Sequence, residues 1–97
     1  MAADEIRIHP LRCGTLSAAG EAFVAGAEGV LDLQVWSFLV EHPSGPLLFD
    51  TGMHPQLRSD AKGRIGGLAD LFEIRYGDDE DVVSRVGSAG VDPASVP

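Results

Sequence analysis

The stretch from Gln34 to Pro55, QVWSFLVEHPSGPLLFDTGMHP, constrains this chain more than any other, because it reads as two strands, a tight turn and a loop rich in functional groups. From Gln34 to Glu41 the even positions Trp36, Phe38 and Val40 are apolar while the odd ones, Val35, Ser37 and Leu39, are mixed, a period of two that predicts a β-strand. His42-Pro43-Ser44-Gly45 predicts a type I turn, since proline at the second position presets φ and glycine is favoured at the fourth. Pro46 can open a second strand without breaking a ladder. Leu47-Leu48-Phe49 follows with no polar alternation, which predicts burial on both faces, as in a sheet packed between two layers. The strand ends in Asp50-Thr51-Gly52: an acid, a hydroxyl and a residue permissive of positive φ. Loops at strand ends are where binding and catalytic groups concentrate.

Elsewhere the chain gives weaker signals. Ile6 to Gly14 reads as a first strand whose apolar phase changes, with Ile6 and Ile8 on one face and Leu11 and Cys13 on the other; a bulge at His9-Pro10 would account for the slip. Ser17 to Asp32, rich in glycine and alanine, reads as a loop or a weak strand. In Gln56 to Tyr76, Leu68, Leu71 and Phe72 follow three glycines at helical spacing, which predicts a short helix on a flexible loop, either a lid over a pocket or a surface excursion that closes the core. Asp78 to Asp81 crowd the start of the clearest helix, where carboxylates accept orphan N–H groups. Val82, Val83, Val86 and Ala89 form its apolar stripe, and Gly90-Val91 is the signature of a left-handed cap.

Charge and cysteine content narrow the function classes. Fifteen acidic against seven basic residues give a formal charge of −8, which repels a phosphate backbone, and no basic stripe with interleaved aromatics occurs, so nucleic-acid binding is not expected. A single cysteine forms no internal disulfide, and Met1 to Glu5 lack a signal-peptide pattern, so the expected location is cytoplasmic. No apolar run is long enough to span a bilayer, and no membrane partner is expected.

Three histidines, His9, His42 and His54, each precede a proline, but their spacing matches no local metal pattern and turn geometry accounts for all three, so no metal ligand is assigned within this chain. Cys13 reads as a small buried hydrophobe rather than a nucleophile. Asp50 reads first as a turn-capping aspartate that accepts the backbone N–H groups of Thr51 and Gly52.

The segment Cys13-Gly14-Thr15-Leu16, the block Phe38 to Pro55 (FLVEHPSGPLLFDTGMHP) and the acidic helix ending Gly90-Val91-Asp92-Pro93 resemble the N-terminal part of metallo-β-lactamase-fold hydrolases, within them the N-acyl-homoserine lactonase-like group. The fold class implied is α/β, the N-terminal part of an αββα sandwich, mostly strands with one clear C-terminal helix, and residues 1–97 would be an incomplete portion of that domain. The family's His-x-His-x-Asp-His motif would lie beyond Pro97, so no catalytic residue falls within the chain and the chain alone is expected to be inactive. The resemblance further implies two zinc ions in the complete enzyme and a lactone or ester substrate. It gives Asp50 a second role beside the metal site, orienting ligand histidines, and puts Thr51, Gly52 and His54 at the rim. Two rival readings stay open: a non-catalytic interaction module that binds through unpaired strand edges, and the same superfamily acting on a thioester or another carboxylic ester.

Overall fold

The computed structural model describes residues 5–97; Met1 to Asp4, on which most of the leader reading rests, lie outside them. Four strands form one antiparallel sheet: β1 (Arg7–Ala19), β2 (Val30–His42), β3 (Gly45–Phe49) and β4 (Glu73–Arg75), in the order β3-β2-β1-β4. Two short helices, α1 (Ala61–Ile65) and α2 (Val82–Ser88), and four 3₁₀ turns are the other elements among the described residues. The radius of gyration, 15.8 Å, exceeds the roughly 13 Å of a compact 100-residue domain, and the extents of 47 × 28 × 18 Å describe a slab. One sheet with one helical layer is half of an αββα sandwich, which is the fold class the sequence implied.

The hairpin forms where the sequence places it, with Pro43-Ser44 as the two-residue loop and Gly45 at φ 123. The turn is pinned by the Ser44 N–H, which donates to His42 Nδ1 at 3.0 Å. The mixed face of β2 turns out to be the inner one. Leu39 and Ser37 are fully buried, whereas Trp36 on the all-apolar face is 39% exposed. On β3 only Leu48 packs on the core; Leu47 and Phe49 are exposed, so burial holds on one face and not on both as predicted. The unbroken apolar run marks a strand whose outer face has no second layer among the described residues.

The β1 irregularity is at Cys13-Gly14 rather than His9-Pro10. His9 and Pro10 sit in regular register opposite Leu39 and Phe38, and β4 covers only Thr15 to Ser17 of β1, so Pro10 lies on an open edge that tolerates it. Gly14 supplies the extra residue because it can adopt φ 92, and a Cβ there would meet Met53 Cε at 2.5 Å. Ile8 is then simply an outward residue, 63% exposed, and the change of apolar phase is a change of face.

The expected loop at Ser17 to Asp32 is shorter than predicted, because β1 runs to Ala19 and β2 begins at Val30. A polar tie explains this extension better than hydrophobicity does: buried Ser17 donates from Oγ to Asp32 Oδ1 at 2.5 Å across the ladder. That bond, with Arg75 nearby and against a smaller desolvation effect, lowers the Asp32 pKa. In Gln56 to Tyr76 the helix falls earlier than predicted, at Ala61–Ile65. Leu68 is in a 3₁₀ turn, Leu68 and Leu71 are exposed, and Phe72 instead packs on Phe23 with ring centroids 5.7 Å apart.

The clearest helix is also the one that makes the core. Asp81 caps α2, accepting the Ser84 N–H at 3.1 Å, and Val82, Val86 and Ala89 face Leu11, Cys13 and Leu39. Val83, assigned to that stripe from sequence, is exposed, because it lies one position off the i, i+4, i+7 line. Gly90 at φ 87 closes the helix: its N–H donates to Gly87 O at 3.0 Å and Val91 N–H to Val86 O at 3.3 Å, with Val91 packed on the core. Arg85 Nε then donates to Arg12 O at 2.8 Å, tying the helix to β1.

Candidate functional site

The loop after β3 is held by a set of contacts that sequence reading caught only in part. Asp50 adopts φ 65, a left-handed conformation that aspartate tolerates better than most residues, and its Oδ1 accepts Thr51 N–H at 2.7 Å and Gly52 N–H at 3.3 Å. The turn-capping geometry read from sequence is therefore present. Gly52 follows at φ 68, tight against the first strand: a Cβ there would lie 2.8 Å from Cys13 Cβ. Cys13 itself is fully buried, donates weakly to Leu11 O at 3.7 Å, and has its pKa raised by desolvation, with Arg85 opposing the shift. It is a packing residue beneath the loop.

Two anchors were missed from sequence. Ser37 Oγ, fully buried, donates to the carbonyl of Asp50, with Phe49 O also in reach at 3.4 Å, so the backbone that leaves β3 is fixed from the neighbouring strand. The available signal was a lone serine between two apolar residues of a core strand, since a buried hydroxyl needs a partner. Tyr76 Oη donates to Met53 O at 2.6 Å and fixes the far side of the loop. Burial raises the Tyr76 pKa, while Arg58, whose guanidinium carbon lies 4.3 Å above the ring centroid, opposes the rise.

Arg58 links this loop to α2. Its Nη2 donates to Asp81 Oδ1 at 2.8 Å, and Ser84 Oγ donates to the same oxygen at 2.8 Å. Desolvation works to raise the Asp81 pKa, but the Arg58 and Ser84 hydrogen bonds outweigh it and bring it down to about 2. The acidic residue that sequence assigned to helix capping thus also fastens the turn Pro55–Arg58.

A cleft of about 380 Å³ opens at this loop, lined by Thr51, Gly52, Met53, His54, Pro55, Arg64 and Val82. Of the four residues singled out from sequence, Thr51, Gly52 and His54 line it; Asp50 lies behind them with its carboxylate turned to its own backbone. His54 Nδ1 accepts the Gln56 N–H at 3.0 Å, which leaves the neutral ring's proton on Nε2. The other histidines do not line the cleft: His9 Nε2 is 2.8 Å from Glu41 Oε2, and His42 closes the hairpin. Among the described residues no three His, Cys, Asp or Glu side chains cluster to hold a metal ion. No helix among the described residues is long and apolar enough to cross a membrane.

No protein-family model matches the chain. It is similar to two proteins described as N-acyl homoserine lactonase AttM, one from Azorhizobium caulinodans, 30% identical over 94 residues, and one from Agrobacterium fabrum, 29% identical over 94 residues. Each match covers 95% of this chain but 36% of the relative, so the chain spans little more than a third of their length. A crystal structure of a B. thuringiensis AiiA variant with N-decanoyl-L-homoserine bound at its active site superposes with a TM-score of 0.75 at 20% identity, over 92% of this chain and 37% of that one. An N-acyl homoserine lactone hydrolase with the product N-hexanoyl-L-homoserine at its catalytic metal centre gives a TM-score of 0.75 at 20% identity, with 92% and 37% covered. The resemblance read from Cys13-Gly14-Thr15-Leu16, the block Phe38 to Pro55 and the helix ending Gly90-Val91-Asp92-Pro93 thus holds in sequence and in fold: the chain is like the N-terminal part of a metallo-β-lactamase-fold lactonase.

Proposed function

We propose that residues 1–97 are an incomplete N-terminal portion of a cytoplasmic metal-dependent hydrolase that opens N-acyl-homoserine lactones or related lactones and esters, and that this chain alone is inactive. The observation that carries the reading is the likeness to N-acyl homoserine lactonases over 95% of the chain. Hydrolysis adds one water across the ester bond, releasing a carboxylate and a hydroxyl on the same opened molecule. In this reading Asp50 shapes the loop from behind, Thr51, Gly52 and His54 form the rim, and two metal ions, zinc by expectation, are held by donors outside this chain.

The chain's side chains supply positioning and not turnover. Ser37, Tyr76 and Arg58 hold the strand-end loop in one shape, which is what a rim needs if a substrate is to be oriented. The test compares lactone ring opening by the purified 97-residue chain and by the longest reading frame that contains it. The expected result is no turnover by the short chain and chelator-sensitive turnover by the long one; turnover by the short chain, or none by the long one, overturns the proposal.

A second reading, a non-catalytic interaction module, is favoured by one observation. Trp36, Leu47 and Phe49 stand exposed on the outer face of β2 and β3, and β3 is an edge strand. Cooperative, zinc-independent unfolding of a monomeric 97-residue chain would favour the module; aggregation without a sharp transition would favour the interrupted sandwich.

A further inference from the structure

The cleft beside the strand-end loop has the donor chemistry of an anion site. Acidic residues outnumber basic ones 15 to 7 in the chain, yet none of the 14 among the described residues lines the cleft. Six of the seven lysines and arginines have an acidic partner: Arg7 with Glu5, Arg12 and Arg85 with Glu80, Arg58 with Asp81, Lys62 with Asp70, and Arg75 with Asp32 and Glu73. Among the described residues the seventh, Arg64, makes no ion pair, and it is the one that lines the cleft.

Two more unused donors belong to residues that line the same cleft. The Thr51 hydroxyl makes no hydrogen bond among the described residues, and His54, committed at Nδ1, keeps its Nε2 proton free. The remaining lining, Met53, Pro55 and Val82, is apolar. A guanidinium, a hydroxyl and an imidazole N–H beside an apolar wall match a carboxylate carried on a small apolar molecule, because a forked guanidinium pairs with two carboxylate oxygens.

We infer that this cleft is an anion subsite in which Arg64, with Thr51 and His54, binds the carboxylate of an acylated amino acid. The inference rests on the hydrolase reading only for the choice of molecule. A lactone is neutral and its opened product is a carboxylate, so a site of this kind holds product more tightly than substrate. Arg64 then sets how strongly the enzyme is inhibited by what it makes.

The test is a titration of the isotopically labelled protein encoded by the longest reading frame that contains this chain, its metal removed by chelator so that the lactone is not opened, followed through the backbone amide signals of Thr51, Gly52 and His54, with N-hexanoyl-L-homoserine, the corresponding neutral lactone, and inorganic phosphate as probes. The product should give saturable shifts at these amides, and about tenfold weaker binding is expected for the lactone and for Arg64→Gln, with Arg64→Lys intermediate. Arg64 is exposed, so the substitution leaves the fold intact. Equal affinity for lactone and product, or binding unchanged in Arg64→Gln, overturns the subsite; phosphate bound as tightly as the product overturns the carboxylate assignment. In the longer reading frame Arg64→Gln should raise the product inhibition constant about tenfold. Absence of lactone turnover there would reject the hydrolase reading alone, since the amide titration needs no turnover.

Discussion

The inner and outer faces of the sheet are comparably apolar, but only one is buried. On the inner face Leu11, Cys13 and Leu39 close against Val86, and a serine, Ser37, is buried with them. On the outer face Ile8, Trp36, Leu47 and Phe49 remain exposed. Hydrophobicity does not separate the two; the reach of α2 does. The helix is only seven residues long and covers the side of β1 and β2 beneath the strand-end loop, so the core and the candidate site share one wall.

The buried face is most sensitive at its centre. Leu39→Ala leaves a void among Cys13, Val86 and Leu11 and should destabilise the chain by about 2–5 kcal/mol in urea unfolding, enough to abolish a marginal fold. Gly52→Ala asks for a positive φ and places a methyl group 2.8 Å from Cys13 Cβ, so a loss of roughly 2–4 kcal/mol is expected, with amide shifts spreading from Thr51 into β1.

Asp81 sharpens the comparison at the seam between helix and loop. Its pKa in the folded chain is about 2, below the ordinary 3.8, so its contribution is fully present above the ordinary value and is lost as pH falls through about 2. The shift corresponds to about 2 kcal/mol. Asp81→Asn should lose about that much at neutral pH and flatten the stability profile between pH 4 and about 2, a window that pH-resolved thermal melts can read. The smallest effect is expected on the other face, where Ile8→Thr should change stability by less than about 0.5 kcal/mol in the same assay. A large loss there would mean that the outer face is covered in solution.

How much of this was legible in the sequence depended on whether a signal was local. The hairpin at Pro43-Ser44, the Asp50 cap, the acidic start of α2 (though not which of Asp78 to Asp81 caps it) and the Gly90-Val91 helix end were readable, because each is set by a few neighbouring residues with defined φ or hydrogen-bonding needs. The misses were long-range. Which face of β2 is buried depends on a helix more than forty residues later, and the bulge at Gly14 is shaped by Met53 and Arg75. The cleft was half visible: Thr51, Gly52 and His54 lie in one short segment, whereas Arg64 and Val82 are brought in by the fold.

The tie between Ser17 and Asp32 also bears on how the chain assembles. Gly20 N–H donates to Gly29 O at 2.7 Å, closing a loop on the order of ten residues, which forms on the order of 10–100 ns in a flexible chain. From that closure the β1–β2 ladder can zip outward, Ala19 to Val30 first and Arg7 to Glu41 last, with the Ser17–Asp32 clasp as an early latch and the bulge at Cys13-Gly14 as the one step out of rhythm. The strand-end loop takes its native shape only once Ser37, Tyr76 and Arg58 are in place.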